Sequence, residues 1–142
     1  MKAVNILLVE DNEGDILLTT EALEDIKLAN KLSVARDGEE AIDFLSKNTP
    51  FEDVEEPDLI LLDINLPKIN GLEVLKFIKT SDSLKHIPVI VLTTSSSFDD
   101  VSGSYRGHAN CYIVKPVDIS DFIQAISKIE DFWIKIVRLP NR

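Results

Sequence analysis

Cysteine and long apolar runs are scarce in this 142-residue sequence, and their scarcity excludes several classes of protein. The single cysteine, Cys111, cannot form an intramolecular disulfide and belongs to no metal-binding spacing, so a reducing cytoplasm is the simplest compartment. No apolar run approaches the roughly 20 residues that a membrane span needs. The N-terminal run ends in Glu10 and Asp11 without a small-residue cleavage site, which favours a first strand over a signal peptide.

Positive charge is also in short supply. The chain has 15 Lys and Arg residues against 25 Asp and Glu residues, which sets the formal net charge at −10. The acids are spread through the chain, and such a surface repels a polyanion. We therefore expect no direct binding to nucleic acid and no DNA-binding output module.

What the sequence does contain is typical of one soluble globular domain. Hydrophobic residues make up 44% of the chain and charged residues 28%. A chain of this size buries roughly 68–70% of the surface that it exposes when unfolded, which is enough for a core. We therefore expect a single domain over residues 1–142.

Two kinds of segment alternate along the chain. Apolar runs of strand length occur at Val4–Val9, Leu32–Ala35, Leu59–Leu62, Val89–Leu92 and Cys111–Val114. Segments with helical spacing occur at Asp15–Ile26, Glu39–Leu45, Leu72–Ile78, Phe98–Tyr105 and Ile119–Val137. Runs that are apolar on both faces indicate strands buried between helix layers, as in parallel sheets. The pattern predicts five βα units, ending in an extended C-terminal helix over about residues 118–138.

Local signals mark the helix starts and one loop. A capping side chain stands three residues before an acid in four segments, namely Asp37–Glu40, Asn70–Glu73, Ser97–Asp100 and Asp118–Asp121. The segment Thr49–Pro57 has four acids, two prolines and no periodicity, which predicts an exposed loop. The fourth helix has few apolar anchors, chiefly Val101 and Tyr105, so we expect it to pack weakly and to be mobile.

Polar residues recur at one place, the carboxyl end of an apolar strand. They are Glu10 and Asp11 after strand 1, Asp63 after strand 3, Thr93 after strand 4 and Lys115 after strand 5. Ligands of open parallel sheets bind outside these strand ends, so we expect the five side chains to converge in one crevice. Three carboxylates repel one another unless a hard cation lies among them, and Mg²⁺ suits that set. With a lysine and a hydroxyl beside it, Asp63 is suited to accept a phosphoryl group.

Four motifs resemble the response-regulator receiver domains of two-component signalling, over essentially the whole chain. They are LLVEDN at 7–12, LILLDINLPKINGLEVL at 59–75, PVIVLTTS at 88–95 and YIVKP at 112–116. Their order and spacing together are highly specific, whereas any one alone would be weak. The resemblance implies a flavodoxin-like, doubly wound α/β fold: a five-stranded parallel sheet of order 2-1-3-4-5 with five helices.

The resemblance also implies a role for each residue at the strand ends. Asp63 would be the phosphoacceptor. The metal, Mg²⁺, would be bound by Glu10, Asp11, Asp63 and the backbone carbonyl of Asn65. The catalytic activity of such a protein is limited to its own phosphoryl acceptance and slow hydrolysis.

Three further positions follow from the same resemblance. Lys115, ahead of a cis bond to Pro116, would contact the phosphoryl group, and Thr93 would move to hydrogen-bond it. Asn65 and Ser95 occupy the positions that tune hydrolysis. In strand 5, Tyr112 is either plain core packing or a conformational switch that turns inward as Thr93 moves.

A narrower resemblance concerns small single-domain regulators encoded with phytochrome-type histidine kinases. It is carried by NEGDILLTTEALE, TPFEDVEEPDLILLD, VLTTSS, ANCYIVKPVD and IEDFWIKIVRLP. It implies a light- or redox-sensing histidine kinase as donor, and a homodimer. The last helix has too many apolar residues for one face, which predicts either a dimer interface at Phe132, Trp133 and Ile136 or a tail folded back on the domain.

The sequence departs from the family pattern at two positions. Gly107 stands one place earlier than the glycine that usually ends the fourth helix with a positive φ, and histidine tolerates positive φ better than most residues, so the sequence leaves the conformation at Gly107 and His108 open. Asn70 replaces a common aspartate and should cap equally well. His86 and His108 are isolated in the sequence, and we interpret neither as a ligand or a phosphodonor.

Two alternatives to a phosphorylated signalling module remain to be weighed. A Mg²⁺-dependent phosphohydrolase with an aspartate nucleophile needs a second acid two residues after the nucleophile, and Asn65 stands there. A receiver-like interaction module that no longer takes phosphate is disfavoured because all five strand-end residues are retained.

Overall fold

A computed structural model of the chain describes residues 4–24 and 30–115. Its elements, in chain order, are β1 (Val4–Val9), α1 (Glu13–Glu24), β2 (Asn30–Ala35), α2 (Gly38–Ser46), β3 (Leu59–Leu62), α3 (Gly71–Thr80), β4 (Val89–Thr93), α4 (Phe98–Arg106) and β5 (Cys111–Val114). Strands 1, 3 and 5 have the predicted bounds. Thr93 is the last residue of β4 rather than the residue after it. The predicted fifth helix and its cap at Asp118 lie outside the described residues.

The strands form one parallel sheet in the order β2-β1-β3-β4-β5, as predicted. In the register, Val9 pairs with Leu62 and Thr93 pairs with Val114. The carboxyl ends of the strands are therefore nearly level, and the residues that follow them open onto one edge of the sheet.

The core lies on both faces of this sheet, which explains why the central strands β1, β3 and β4 are mostly apolar. Residues such as Val9 and Leu62 face the cluster built with α2 and α3, whereas Leu8 and Leu61 face the cluster that includes Ile16 of α1. Burying each such side chain contributes about 1.5–3 kcal/mol. A sheet held from both sides is a rigid base for the residues at its edge.

Three of the predicted helix caps are formed. The side chains of Asp37, Asn70 and Ser97 each accept a hydrogen bond from the backbone N–H three residues later, at the start of α2, α3 and α4. Asn70 therefore caps α3 as expected. Each cap satisfies a backbone donor that the helix leaves unpaired and contributes about 1 kcal/mol.

The segment Thr49–Pro57 is a loop, but it is not exposed along its whole length. Phe51 and Val54 are half-buried and pack against the core, with the ring centroids of Phe44 and Phe51 5.4 Å apart. The acids of the loop are mostly exposed. Among the described residues, no helix is both long and apolar enough to cross a bilayer.

The prediction that Tyr105 anchors α4 is wrong. Tyr105 is 51% exposed, whereas Ser104 is fully buried. Gly103 faces α3, where a Cβ on it would lie 3.3 Å from the Leu72 side chain. Because side chains one residue apart point about 100° apart on a helix, this orientation carries Tyr105 to the outside.

The end of α4 has a conformation that the sequence analysis left open. His108 has φ 69°, while Gly107 has φ −80° and closes the helix through its N–H. Histidine therefore takes the left-handed position that glycine usually fills.

Candidate functional site

The backbone around Asp63 is held from two sides. Its N–H donates to the carbonyl of Val9 at 3.0 Å, which extends the β1–β3 ladder by one residue. Gly71, the first residue of α3, lies so close that a Cβ there would be 2.2 Å from the Asp63 carbonyl oxygen. Only glycine permits this approach, and the start of α3 therefore fixes the position of Asp63.

The Asp63 carboxylate accepts hydrogen bonds from three groups. Its Oδ1 accepts from Thr93 Oγ1 at 2.6 Å and from the Asn65 N–H at 3.0 Å, and its Oδ2 lies 3.4 Å from Lys115 Nζ. The side chain is buried yet fully partnered. These contacts compensate the cost of burying a charge at the end of an apolar strand.

Lys115 is surrounded by acids and is itself buried. Its Nζ forms an ion pair with Glu10, lies 2.9 Å from Asp15 Oδ2 and 3.4 Å from Asp63 Oδ2. Burial acts to lower the pKa of Lys115, but the hydrogen bonds to Glu10 and Asp15 and the negative charges of Asp63 and Glu10 together outweigh it, so the pKa is raised. The ammonium is therefore charged and positioned by its neighbours.

Glu10 is the most strongly perturbed acid of the site. Burial raises its pKa to about 7, against the opposing effect of Lys115. Its Oε2 accepts from the backbone N–H groups of Asp11 and Asn12, at 3.1 and 3.2 Å. Glu10 therefore links the end of β1 to the start of α1.

Glu10, Asp11 and Asp63 form a cluster suited to a divalent cation. Their nearest ligand oxygens lie within 4.8 Å of one another. Glu10 and Asp63 are buried, whereas Asp11 is exposed. The exposed side of the cluster leaves room for water to complete the coordination shell of a cation. Three oxygen donors of this kind fit a hard divalent cation.

A second set of contacts connects the cluster to α4. The Ser95 N–H lies 3.4 Å from Thr93 Oγ1, and the Tyr112 hydroxyl donates to the Ser95 carbonyl at 2.6 Å. Ser95 Oγ also donates to Asp100 Oδ2 in the first turn of α4. Tyr112 packs against the core as well, and burial raises its pKa. It therefore combines core packing with a polar contact to the segment that follows Thr93.

The structure brings all five strand-end residues together and adds one that the sequence analysis missed. Asp15, in the first turn of α1, contacts Lys115. Acidic residues are common in the first turn of a helix because they complement the helix dipole. No feature of the sequence therefore marks Asp15, and only the direction of its side chain distinguishes it.

The remaining predicted residues lie away from this crevice or outside the described part of the chain. His86 Nε2 lies 3.7 Å from Glu56 Oε1, in segments that lead into β4 and β3 and therefore at the opposite edge of the sheet. The Asn65 side chain is exposed beside the site. Pro116 and the predicted dimer residues Phe132, Trp133 and Ile136 lie outside the described residues.

Comparison with known proteins extends the similarity over nearly the whole chain. The family model for the response regulator receiver domain matches residues 6–127. The sequence is 46% identical over 135 residues to the response regulator Rcp1 of Synechocystis sp., covering 95% of this chain and 92% of that protein. The crystal structure of the phosphorylated cyanobacterial phytochrome response regulator RcpA matches with a TM-score of 0.96 and 45% identity, covering 98% of this chain and 99% of that one. The Mn²⁺-bound form of Rcp1 matches with a TM-score of 0.94 and 45% identity, covering 96% and 99%.

Proposed function

Because this chain belongs to the response-regulator receiver family, we propose that Asp63 accepts a phosphoryl group from a sensor histidine kinase. The observation that carries the proposal is the placement of the Asp63 carboxylate. It lies at the end of β3 with a hydroxyl on one oxygen and an ammonium near the other. The protein then signals through the conformational change that phosphorylation causes.

The chemistry is a phosphoryl transfer to a carboxylate. One oxygen of Asp63 attacks phosphorus, the P–N bond of the donor phosphohistidine breaks, and the imidazole leaves with the electron pair and takes up a proton. Lys115 is placed to neutralise charge on the transferred group. Bound by Glu10, Asp11, Asp63 and the backbone carbonyl of Asn65, Mg²⁺ would supply further neutralisation of that charge.

The response begins with Thr93. Its hydroxyl leaves Asp63 Oδ1 for a phosphoryl oxygen, and this motion pulls on the segment that contains Ser95. Tyr112 responds to the displacement because its hydroxyl donates a hydrogen bond to the Ser95 carbonyl. Thr93 and Tyr112 are thus the switch residues of a two-state element biased by one new charge.

The activity is limited to phosphoryl acceptance and slow hydrolysis. Asn65 and Ser95 flank the site and would tune the lifetime of the phosphoaspartate. A dedicated phosphohydrolase is disfavoured because the amide of Asn65 cannot act as a general acid or base.

The relatives support a proposal for the donor and for the compartment. RcpA is described as a phytochrome response regulator, and we propose a phytochrome-type histidine kinase as donor for this chain too. Such a donor would phosphorylate it in the cytoplasm. Direct partners are therefore proteins, in keeping with the net charge of −10.

A homodimer through the C-terminal segment is proposed from the sequence. The predicted last helix contains five apolar residues that are too many for one helical face, namely Phe132, Trp133, Ile134, Ile136 and Val137. Of these, Phe132, Trp133 and Ile136 are the proposed interface. Light scattering after size-exclusion should give a dimer mass for the wild type and a lower mass for Trp133→Glu. An unchanged mass would remove Trp133 from the interface.

The proposed function is tested by intact mass spectrometry. Incubation with acetyl phosphate and Mg²⁺ should add one phosphoryl group to the wild type and none to Asp63→Asn. Asp82→Asn is the matched control, because the Asp82 side chain is exposed and remote from the crevice. Failure of the wild type to gain a phosphoryl group from either acetyl phosphate or an active kinase would overturn the proposal.

A further inference from the structure

Asp15 and Lys115 form a contact across 100 residues of sequence. The Asp15 carboxylate lies 2.9 Å from the Lys115 ammonium. Its side chain is 29% exposed, so it reaches the buried ammonium from the solvent side of the crevice. This contact joins the first turn of α1 to the end of β5.

Helix capping does not account for the direction of the Asp15 side chain. In a capping box, the acid at the third helical position accepts from the N–H of the capping residue. Here Asn12 caps α1 by accepting from the Asp15 N–H at 3.0 Å, but the Asn12 N–H donates to Glu10. The Asp15 carboxylate is directed to Lys115 instead.

The other acid in the same turn of α1 points elsewhere. Glu13 pairs with Arg36 at 2.7 Å on the exposed surface. The two acids carry the same charge and sit two residues apart, yet only Asp15 contacts the crevice. General attraction to the helix N-terminus therefore does not explain the contact with Lys115.

Asp15 also differs from the other two acids that contact Lys115. Glu10 and Asp63 both belong to the cluster that would hold a cation, whereas Asp15 does not. A cation on Glu10 and Asp63 draws on the same two carboxylates that now pair with the ammonium. Among the described residues, Asp15 is then the one acidic partner of Lys115 that does not also bind the cation.

We propose that Asp15 is a positioning residue that keeps the Lys115 ammonium at the crevice while a divalent cation takes over Glu10 and Asp63. This inference rests on the proposed function and refines it by assigning a separate counter-ion to the lysine. With Asp15 in place, the cation binds Glu10 and Asp63 while the Lys115 ammonium pairs with Asp15. Without it, the ammonium returns to Glu10 and Asp63 and competes with the cation.

Calorimetric titration with MgCl₂ tests the inference without any phosphoryl transfer. Asp15→Asn should weaken Mg²⁺ binding by about 10-fold, the lower end of what loss of a residue supporting the ligands costs. Glu13→Gln removes the same charge from the same helical turn and should change the affinity much less. Equal affinities for Asp15→Asn and Glu13→Gln would overturn the proposal.

A double-mutant cycle distinguishes positioning from a merely structural effect. If Asp15 acts through Lys115, then Asp15→Asn should have almost no effect on Mg²⁺ affinity in a Lys115→Gln background. A full effect in that background would also overturn the proposal. Circular dichroism melting establishes whether each variant is folded. If the double variant is not folded, the comparison of Asp15→Asn with Glu13→Gln decides whether the proposal holds.

The outcomes also separate this inference from the proposed function. Wild-type protein that binds Mg²⁺ but gains no phosphoryl group contradicts the proposed function, while the titrations still measure the role of Asp15. Wild-type protein that binds no Mg²⁺ contradicts both.

Discussion

Thr93 Oγ1 donates a 2.6 Å hydrogen bond to Asp63 Oδ1, from the last residue of β4 to the residue that follows β3. Both side chains are buried, and the acceptor is a carboxylate. Hydrogen bonds to charged groups contribute about 1.5–3 kcal/mol to stability. The same hydroxyl also lies within reach of the Ser95 N–H, so it connects the acid to the next loop.

Removing this hydroxyl should therefore affect both stability and signalling. Thr93→Val keeps the shape of the side chain and should lower the free energy of unfolding by about 2 kcal/mol in urea denaturation. The amide resonance of Ser95 should then respond less to acetyl phosphate and Mg²⁺. Thr93→Ser keeps the hydroxyl and should restore the response of Ser95, and a Thr93→Val protein with a full response would show that the hydroxyl does not carry the signal.

Gly71 should tolerate no side chain. In Gly71→Ala the new Cβ would lie 2.2 Å from the Asp63 carbonyl oxygen and 2.5 Å from Ile64 Cα, so the end of β3 or the start of α3 has to move. We expect a loss of about 2 kcal/mol or more in unfolding free energy, together with slower phosphorylation. Gly103→Ala meets only the flexible side chain of Leu72 and should change stability by less than about 1 kcal/mol. Equal stabilities of the two variants would contradict the tight packing at Gly71.

Ser104 should be a site where a smaller, apolar residue stabilises the protein. Its hydroxyl is buried in α4 and has no hydrogen-bond partner among the described residues. Ser104→Ala should raise the free energy of unfolding by about 1–3 kcal/mol, since an unpaired buried hydroxyl costs about that much. Ser102→Ala, in the same helix but less buried, should show only the small gain in helix propensity. The difference between the two variants, measured by thermal melting, isolates the buried hydroxyl.

The cation-free protein should become less stable as the pH rises through Glu10's titration. Burial raises the pKa of Glu10 from 4.5 to about 7, so between these values the folded protein binds more protons than the unfolded chain. The free energy of unfolding therefore falls as the pH rises through this window, by up to about 3 kcal/mol.

Urea denaturation at pH 5 and pH 8 in EDTA measures this dependence. In Glu10→Gln, the difference in unfolding free energy between pH 5 and pH 8 should be much smaller than in the wild type. Comparing the two proteins corrects for the charge repulsion that every other acid contributes. Adding Mg²⁺ at pH 8 should recover stability in the wild type. An identical pH dependence in Glu10→Gln would assign the effect to other groups.

Much of the fold was readable from the sequence because the relevant physics is local. Strand β3 is apolar at every position and β1 at every position except Asn5, and that pattern follows from burial on both faces. The caps at Asp37, Asn70 and Ser97 act over three residues, so their spacing alone identified them. The site was predictable for a similar reason, since parallel strands bring the residues after their carboxyl ends to a single edge.

What the sequence left open depends on helix rotation and on long-range contacts. Whether Tyr105 or Ser104 faces inward was decided by how closely α4 approaches α3, which the pattern of a nine-residue helix does not specify. The direction of Asp15 was decided by the position of Lys115, a partner 100 residues away. The sequence by itself determined the layers, the strand ends and the acids that meet there. The tertiary structure decided that Asp15 joins them as a partner of the lysine, because that depends on distances between elements and not on spacing along the chain.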